Sequence, residues 1–268
     1  MRILITAMEF ETLTGAPMYH YNLAKGFREL GHDVVCVGTW IGGKIEKRLR
    51  EIGCNVYTIE QLTEWPGEYD LAIIAQNRPK FLDYIECPAI YNLVHSKGID
   101  DKPIDHYKID GYVVPRKQIS DYWGIDAKII PIPIDFEKFS SSRKVQNNEY
   151  TIFAPCTIDK LRRPMLLNLL ERSKEHKVII TGKNHGGLDG VEIPKNVLIL
   201  DEVTTHFAMR YVDEVAGIFI GTVTIEAWSM GLKTSVYDEN GNWEYVEKPE
   251  DFEKHDYKKV TQQFIDLI

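Results

Sequence analysis

Strand-length apolar segments alternate with amphipathic segments along the first half of the chain. The predicted strands lie at residues 3–7, 34–37, 55–59, 71–75, 89–93 and 111–114. Helical periodicity occupies residues 18–30 and 44–52, and Gly31 and Gly53 stand where a left-handed helix cap is common. Because strands that alternate with helices pair in parallel, the sequence predicts an α/β fold.

The same strand–helix–strand order returns near the end of the chain, at residues 217–237. We expect a buried strand at residues 217–220, a helix capped by Thr222, and a helix end at Gly231. Glu226 lies close to the helix start, where the helix dipole is expected to keep its carboxylate ionised. In open α/β sheets this edge binds nucleotides and phosphates. A capped helix in an ordinary α/β domain is the alternative interpretation.

The composition narrows the possible classes of function. The formal net charge is −8, from 32 Lys and Arg against 40 Asp and Glu. This charge argues against a protein that binds nucleic acid or an anionic membrane over a broad basic surface. Cys36, Cys54, Cys87 and Cys156 show no C-x-x-C pairing or zinc spacing, so we interpret them as reduced core thiols. The chain opens with a short apolar run and contains no segment of membrane-spanning length. We therefore expect a cytoplasmic protein.

The segment at residues 217–237 resembles, nearly position for position, the donor-binding segment of retaining glycosyltransferases with the GT-B fold, family four in particular. In that family the glutamate before the alanine, here Glu226, binds the ribose hydroxyls of a nucleotide-sugar donor. The loop at residues 14–17 and the following helix are similar to the family's opening, with Thr14 in place of one of two glycines. The resemblance implies that Thr14 and Gly15 face the diphosphate or the acceptor; a plain turn glycine is the alternative for Gly15.

A basic loop follows the strand predicted at residues 150–154 and precedes a predicted helix at residues 165–172. It carries Lys160, Arg162 and Arg163 in an otherwise acidic protein. The family holds the donor diphosphate with an arginine and a lysine in this loop, so the resemblance assigns that role here. Arg162 and Arg163 would then stabilise the leaving diphosphate, and a guanidinium can bind phosphate through two hydrogen bonds. A solvated basic turn is the alternative.

Further residues at predicted strand ends match the family's pattern. His95 follows the strand at residues 89–93, and the resemblance implies that it lies against the donor sugar as a catalytic residue; a structural histidine is the alternative. The donor-binding set implied by the remaining loops consists of Gly182, Lys183, Asp201, Gly221 and Thr222.

One position departs from the family's pattern. The motif has two glutamates separated by seven residues, and the first reaches the donor sugar. Counting back from Glu226, that place is held by Ile218, which we expect inside the apolar strand. The resemblance therefore implies that ribose binding is kept, while sugar recognition is altered or activity is reduced.

The resemblance covers nearly the whole chain and implies a GT-B fold, with two Rossmann-like parallel-sheet domains facing a cleft. We predict an N-terminal acceptor-side domain at residues 1–139, a polar linker at residues 140–149 and a C-terminal donor domain at residues 150–268. Apolar positions at helical spacing predict a terminal helix at residues 256–268. That helix either crosses back onto the first domain or packs on the second.

The implied activity is a hexosyltransferase-like transfer of a sugar from a UDP- or GDP-type donor to a hydroxyl, with retention of configuration. The resemblance implies no cofactor beyond the donor and no metal ion. The acceptor (a sugar, a lipid-linked glycan or a protein glycan) and the oligomeric state stay open. Two other classes also stay open: a nucleotide-sugar-binding protein that has lost catalysis, and a GT-B sugar-nucleotide epimerase.

Overall fold

The computed structural model describes residues 1–64, 67–140, 145–146, 148–201, 203–238 and 240–268. The chain forms two compact units. The first unit comprises Met1–Pro133 together with Lys254–Ile268, and the second comprises Ile134–Glu253. Part of the predicted linker, residues 141–144 and 147, lies outside the described residues.

The first unit is built on a parallel sheet. Its strands are β1 (Arg2–Phe10), β2 (Asp33–Ile41), β3 (Asn55–Thr58), β4 (Gly67–Glu68), β5 (Leu71–Ala75), β6 (Ile85–Glu86), β7 (Ile90–Leu93), β8 (Gly111–Val114) and β9 (Ala127–Ile129). The sheet has the order β3-β2-β1-β5-β7-β8-β9, and β4 pairs separately with β6. Because β2 and β5 flank β1 on opposite sides, the strand order reverses at β1, which is the usual ligand-binding position in such sheets.

Helices cover this sheet, and several of them are followed by glycines in the positive-φ region. They are α1 (Gly15–Glu29), α2 (Gly43–Glu51), α3 (Ile59–Glu64), α4 (Lys117–Trp123) and the terminal α9 (Tyr257–Ile265), with 3-10 turns at Pro79–Tyr84 and Ile99–Asp101. A further 3-10 turn at Phe252–His255 begins in the second unit and ends in the first. Gly31 and Gly53 follow α1 and α2 with φ of 83° and 82°, as the sequence predicts. No helix in the described part of the chain combines the length and apolarity that crossing a membrane requires.

Helix α9 packs on α1 within the first unit. A Cβ atom at Gly26 of α1 would overlap the Thr261 side chain of α9, so the absence of a side chain at Gly26 allows the two helices to approach closely. The Tyr257 hydroxyl also donates to Glu29 Oε2 at 2.6 Å. Among the two placements left open by the sequence, the terminal helix therefore joins the first unit.

The second unit repeats the pattern on a smaller sheet. Its elements are α5 (Phe136–Ser140), β10 (Thr151–Pro155), α6 (Arg163–Arg172), β11 (Lys177–Thr181), β12 (Val197–Leu200), α7 (Thr205–Ala208), β13 (Glu214–Gly217), α8 (Thr222–Ser229), β14 (Lys233–Tyr237) and β15 (Trp243–Tyr245). The order is β12-β11-β10-β13-β14-β15, in which only the edge strand β15 is antiparallel. The predicted α/β fold with parallel sheets is confirmed.

The strand predicted at residues 217–220 is displaced toward the N-terminus. Between β12 and β13 the chain forms α7 and a 3-10 turn at Met209–Tyr211, and β13 already begins at Glu214. The strand expected at residues 217–220 therefore ends at Gly217, and Phe219 and Ile220 lie exposed beyond it. The apolar residues 217–220 do not mark the bounds of this strand, because the strand begins earlier, at a charged residue, Glu214, which is fully buried.

The buried carboxylate of Glu214 is compensated by an ion pair and further hydrogen bonds. Arg172, at the end of α6, donates to Glu214 Oε1 at 2.7 Å, and the Ser235 hydroxyl donates to the same oxygen at 2.5 Å. Tyr150 and Tyr245 donate to the second carboxylate oxygen at 3.0 and 3.3 Å. A buried carboxylate is tolerated when its oxygens are all bonded in this way.

Candidate functional site

The strand order of the second unit reverses at β10, whose neighbours are β11 and β13. Two loops leave the carboxyl ends of β10 and β13 and lead into α6 and α8. Helix N-termini at such an edge present free backbone N–H groups and a partial positive charge. The basic loop and the Glu226 segment predicted from the sequence thus lie on adjacent strands of one sheet.

Glu226 is the fifth residue of α8 and only 2% exposed. Burial raises the pKa of its carboxyl from the ordinary 4.5 to about 7, while the positive charge of Lys138 and a hydrogen bond donated by Thr205 act in the opposite direction. Desolvation therefore opposes the helix dipole that was expected to keep Glu226 ionised, because the dipole acts most strongly in the first turn and Glu226 lies beyond it. Near neutral pH the carboxyl is poised between its acid and its carboxylate.

The start of α8 differs from the prediction by one residue. Gly221 is the N-cap and Thr222 is the first helical residue, so Thr222 does not cap the helix. The hydroxyl of Thr224 accepts from the Gly221 N–H at 3.5 Å and donates to the Phe219 carbonyl at 3.2 Å. Gly231, with φ of 69°, follows the helix as expected. A Cβ at Gly221 would lie 2.9 Å from the Phe219 ring, which favours glycine at this turn.

Both arginines of the basic loop already have partners. The guanidinium of Arg162 pairs with Asp159, whose second oxygen accepts from the Arg162 backbone N–H at 2.8 Å. Arg163 opens α6 and donates to the carbonyls of Gly187 and Asp189 at 3.1 and 3.2 Å. Lys160 is exposed. Because a guanidinium has five N–H donors, these bonds leave donors available to an anion.

A second loop packs on the basic loop through backbone contacts. Gly182 follows β11 with φ of 148°, and a Cβ there would overlap the Cys156 carbonyl oxygen. At Gly187 a Cβ would lie 2.6 Å from both backbone N and O of Asp159. These glycines permit the close approach of the two loops. Beside them, the predicted donor-binding residues Lys183 and Asp201 are exposed at the ends of β11 and β12.

Ile218 does not lie in a strand as expected. It follows the last residue of β13 and packs, half-buried, against the apolar cluster that α6 forms with β10 and β11. The place of the family's first glutamate is thus an apolar packing position in this chain.

In the first unit, His95 lies just beyond the carboxyl end of β7 and contacts a second histidine. Its Nε2 is 3.0 Å from Nε2 of His20, which belongs to α1 and is 1% exposed. The rings of Tyr19 and His20 pack edge-on against the His95 ring, with centroids 4.8 and 4.9 Å away. Burial lowers the pKa of both histidines, and the nearby Asp101 carboxylate raises that of His95.

The β1–α1 loop is held by a chain of hydroxyl contacts. Thr14 is the N-cap of α1 with φ of −80°, so the turn accepts a residue other than glycine there. Its hydroxyl lies 2.8 Å from that of Thr12, which donates to Glu9 at 2.9 Å. Gly15 is exposed at the first helical position. In the same unit, Gln76 has a strained φ of 62° after β5 and accepts from the Met8 N–H at 2.7 Å.

Sequence reasoning missed the three residues that surround the predicted groups. His20 belongs to no motif in the sequence, but it lies in the second turn of α1 and its ring packs edge-on against that of Phe10 in β1. Lys138 and Thr205 were missed because both are distant from Glu226 in sequence, and no local pattern indicates their contact.

The comparisons with known proteins agree on the fold. No protein-family model matches the sequence, and no curated protein sequence matches it. Among solved structures, AviGT4, a glycosyltransferase involved in avilamycin A biosynthesis, has a TM-score of 0.65 at 12% identity over 99% of this chain and 96% of that chain. HepE from Anabaena, in complex with UDP, has a TM-score of 0.56 at 13% identity over 99% and 89%.

A third solved structure is an alpha-glucosyltransferase in complex with UDP-glucose and DNA containing an abasic site. It has a TM-score of 0.60 at 10% identity, covering 100% of this chain and 90% of that chain. These likenesses show that the chain has the fold of GT-B glycosyltransferases, built from two Rossmann-like units. The resemblance seen in the sequence is thereby confirmed at the level of the fold.

Proposed function

We propose that this chain is a metal-independent glycosyltransferase that moves a sugar from a nucleotide-diphosphate donor to a hydroxyl acceptor with retention of configuration. The observation that carries the proposal is Glu226, a carboxylate held inside the second unit on the helix that follows β13. The resemblance of residues 217–237 to family-four glycosyltransferases assigns this glutamate to the ribose hydroxyls of the donor. Thr205 donates one hydrogen bond to this carboxylate, and its remaining lone pairs can accept from ribose hydroxyls.

The surrounding loops supply groups that suit a diphosphate. Arg162 and Arg163 carry positive charge at the start of α6, and Lys160 and Lys183 add exposed ammonium groups. The backbone N–H groups at the start of α8, from Thr222 onward, extend this set, and Gly182 and Gly221 keep the surrounding turns free of side chains. Such donors stabilise the charge that develops on a leaving diphosphate. We assign Asp201 to the base, and His95, Thr14 and Gly15 to the first unit's part in the reaction.

The test is a melting-shift screen with UDP, GDP, ADP, their sugar conjugates and the matching nucleosides. A ligand at one hundred times its Kd stabilises the folded state by about 2.7 kcal/mol, which raises the Tm by several degrees. Removing both charges in Arg162→Ala/Arg163→Ala should abolish most of the diphosphate shift and little of the nucleoside shift. The matched control Lys174→Ala/Lys195→Ala removes two exposed charges elsewhere in the same unit. A flat response to every nucleotide would refute the proposal.

A second candidate is a protein that binds nucleotide sugars without transferring them. The apolar packing of Ile218, in the place of the glutamate that reaches the donor sugar, favours it. A melting shift without release of nucleoside diphosphate in the presence of any hydroxyl acceptor would support this candidate. An epimerase would instead convert its nucleotide sugar in the absence of an acceptor.

A further inference from the structure

The contact between His20 and His95 fixes where their protons lie. Two neutral imidazoles whose Nε2 atoms are 3.0 Å apart require one N–H donor and one bare nitrogen acceptor. His20 is 1% exposed, and the rings of Phe10, Tyr19 and His95 pack edge-on against its ring. Its burial lowers its pKa well below the ordinary value, so it stays neutral at physiological pH. The shared contact therefore holds a single proton.

The other nitrogen of His20 decides between the two arrangements. His20 Nδ1 is buried and has no hydrogen-bond partner among the described residues. A proton on this atom would create a buried N–H without an acceptor, which folded proteins avoid more strictly than a bare acceptor. The proton of His20 is therefore favoured on Nε2, from which it is donated to His95 Nε2.

We propose that His20 is a positioning residue that holds His95 as the Nδ1–H tautomer. His95 then offers a hydrogen-bond donor through Nδ1 and has no free nitrogen with which to act as a general base. The tautomer of a histidine is commonly set in this way by the bond that its second nitrogen makes. The role of His95 toward a sugar hydroxyl or phosphate oxygen rests on the proposed function, whereas the tautomer does not.

The chemistry of the substrate group follows from this assignment. A fixed Nδ1–H suits an oxygen that gains negative charge, such as a phosphoryl or leaving-group oxygen. It does not suit removal of the proton from an acceptor hydroxyl. His95 would then assist departure of the nucleoside diphosphate or hold the transferred sugar, and another group would take the acceptor's proton.

The decisive measurement is the ¹⁵N spectrum of the side chains of His95 and His20 in the full-length protein at pH 8, where both rings are neutral. Protonated and bare ring nitrogens have widely separated shifts, and two-bond correlations identify which is which. We expect His95 to carry its proton on Nδ1 and His20 to carry its proton on Nε2. A His95 proton on Nε2 in the unmodified protein would overturn the proposal without any variant.

Two variants separate positioning from packing. His20→Gln keeps an amide N–H near the Nε2 position and should preserve the His95 tautomer, whereas His20→Phe keeps the ring volume but should give a tautomer mixture. Tyr19→Phe is the matched control, because the Tyr19 ring touches His95 while its hydroxyl has no partner among the described residues. It should leave the tautomer unchanged. An unaltered His95 spectrum in folded His20→Phe would contradict the proposal.

Kinetics provide the readout that depends on the proposed function. For sugar transfer, His20→Phe should lower kcat about tenfold, equivalent to about 1.4 kcal/mol, with donor KM within about twofold. His20→Gln should recover most of that loss. If the unmodified protein transfers no sugar from any nucleotide donor, the proposed function fails, while the tautomer assignment is still decided by the spectrum.

Discussion

Replacing Glu226 with glutamine is expected to stabilise the protein increasingly as the pH rises from 4.5 to 7. Burial raises the pKa of this carboxyl from the ordinary 4.5 to about 7. Between those values the folded state keeps a proton that the unfolded chain has released, so ionisation opposes folding and stability falls as the pH rises. At about 1.36 kcal/mol per pKa unit, the loss is about 3 kcal/mol, complete above pH 7. Glutamine cannot ionise and escapes this loss.

The assay is urea unfolding of the wild type and Glu226→Gln at half-unit steps from pH 4.5 to 8.5. The quantity to follow is the difference in the free energy of unfolding between the two proteins, because it cancels the titration of all other groups. Glu171→Gln is the matched control, since it removes an exposed carboxylate of the same unit. We expect a difference that grows by about 3 kcal/mol for Glu226 and stays flat for Glu171.

A pH-independent difference for Glu226→Gln would refute the reasoning. It would mean that Lys138 and Thr205 offset desolvation completely and that Glu226 is ionised throughout this range. Lys138→Met then provides an independent check. Removing the nearby cation should raise the pKa of Glu226 further and move the pH dependence to higher pH.

Two further predictions concern the second unit. Gly182→Ala should destabilise the protein by about 2–4 kcal/mol in urea unfolding, because the new Cβ would overlap backbone atoms and a φ of 148° suits only glycine. Gly190→Ala is the control: with φ of 71° and open space around the new Cβ, it should lower the free energy of unfolding by only about 1 kcal/mol. Arg172→Met should lower the free energy of unfolding by about 3–5 kcal/mol, because it leaves the buried Glu214 carboxylate without its cation. Lys174→Met, which removes an exposed ion pair, should change it by less than about 1 kcal/mol. Equal effects of the two variants would contradict a stabilising role for the buried ion pair.

Local signals in the sequence predicted the architecture well. Gly31, Gly53 and Gly231 all follow helices with positive φ, and Pro164 stands in the first turn of α6. These signals act within a few residues, so composition and spacing are sufficient to read them. The order of strands and helices then predicted parallel sheets, because short crossovers leave few other topologies.

The interior of the candidate sites could not be predicted in the same way. The pKa of Glu226 depends on how deeply α8 is buried and on Lys138, 88 positions away. The partner of His95 lies 75 positions away in α1. The charge of Glu214 suggests an exposed residue, and its burial can be understood only once its partner Arg172 is known. Each of these properties arises from packing between distant segments, which a local pattern does not encode.

The raised pKa of Glu226 also makes nucleotide binding a proton-linked event if the proposed ribose contact is made. An ionised carboxylate accepts hydrogen bonds from both ribose hydroxyls, whereas the acid form has one oxygen occupied by its proton. Binding would therefore select the ionised form and release the proton. With a pKa of about 7, about half a proton should be released per nucleotide at pH 7, more at pH 6 and almost none at pH 9.

Calorimetry in two buffers of different ionisation enthalpy measures this release directly. Affinity should also rise as the pH increases toward 7 and level off above it. Glu226→Gln keeps the shape of the site but cannot exchange a proton, so any titration of the diphosphate itself appears equally in both proteins and is subtracted. A 2′-deoxy nucleotide should release less than the ribonucleotide. Nucleotide binding with the same proton count in wild type and Glu226→Gln would show that the ribose does not meet this carboxylate, because a contact that depends on the ionised form cannot leave its protonation unchanged.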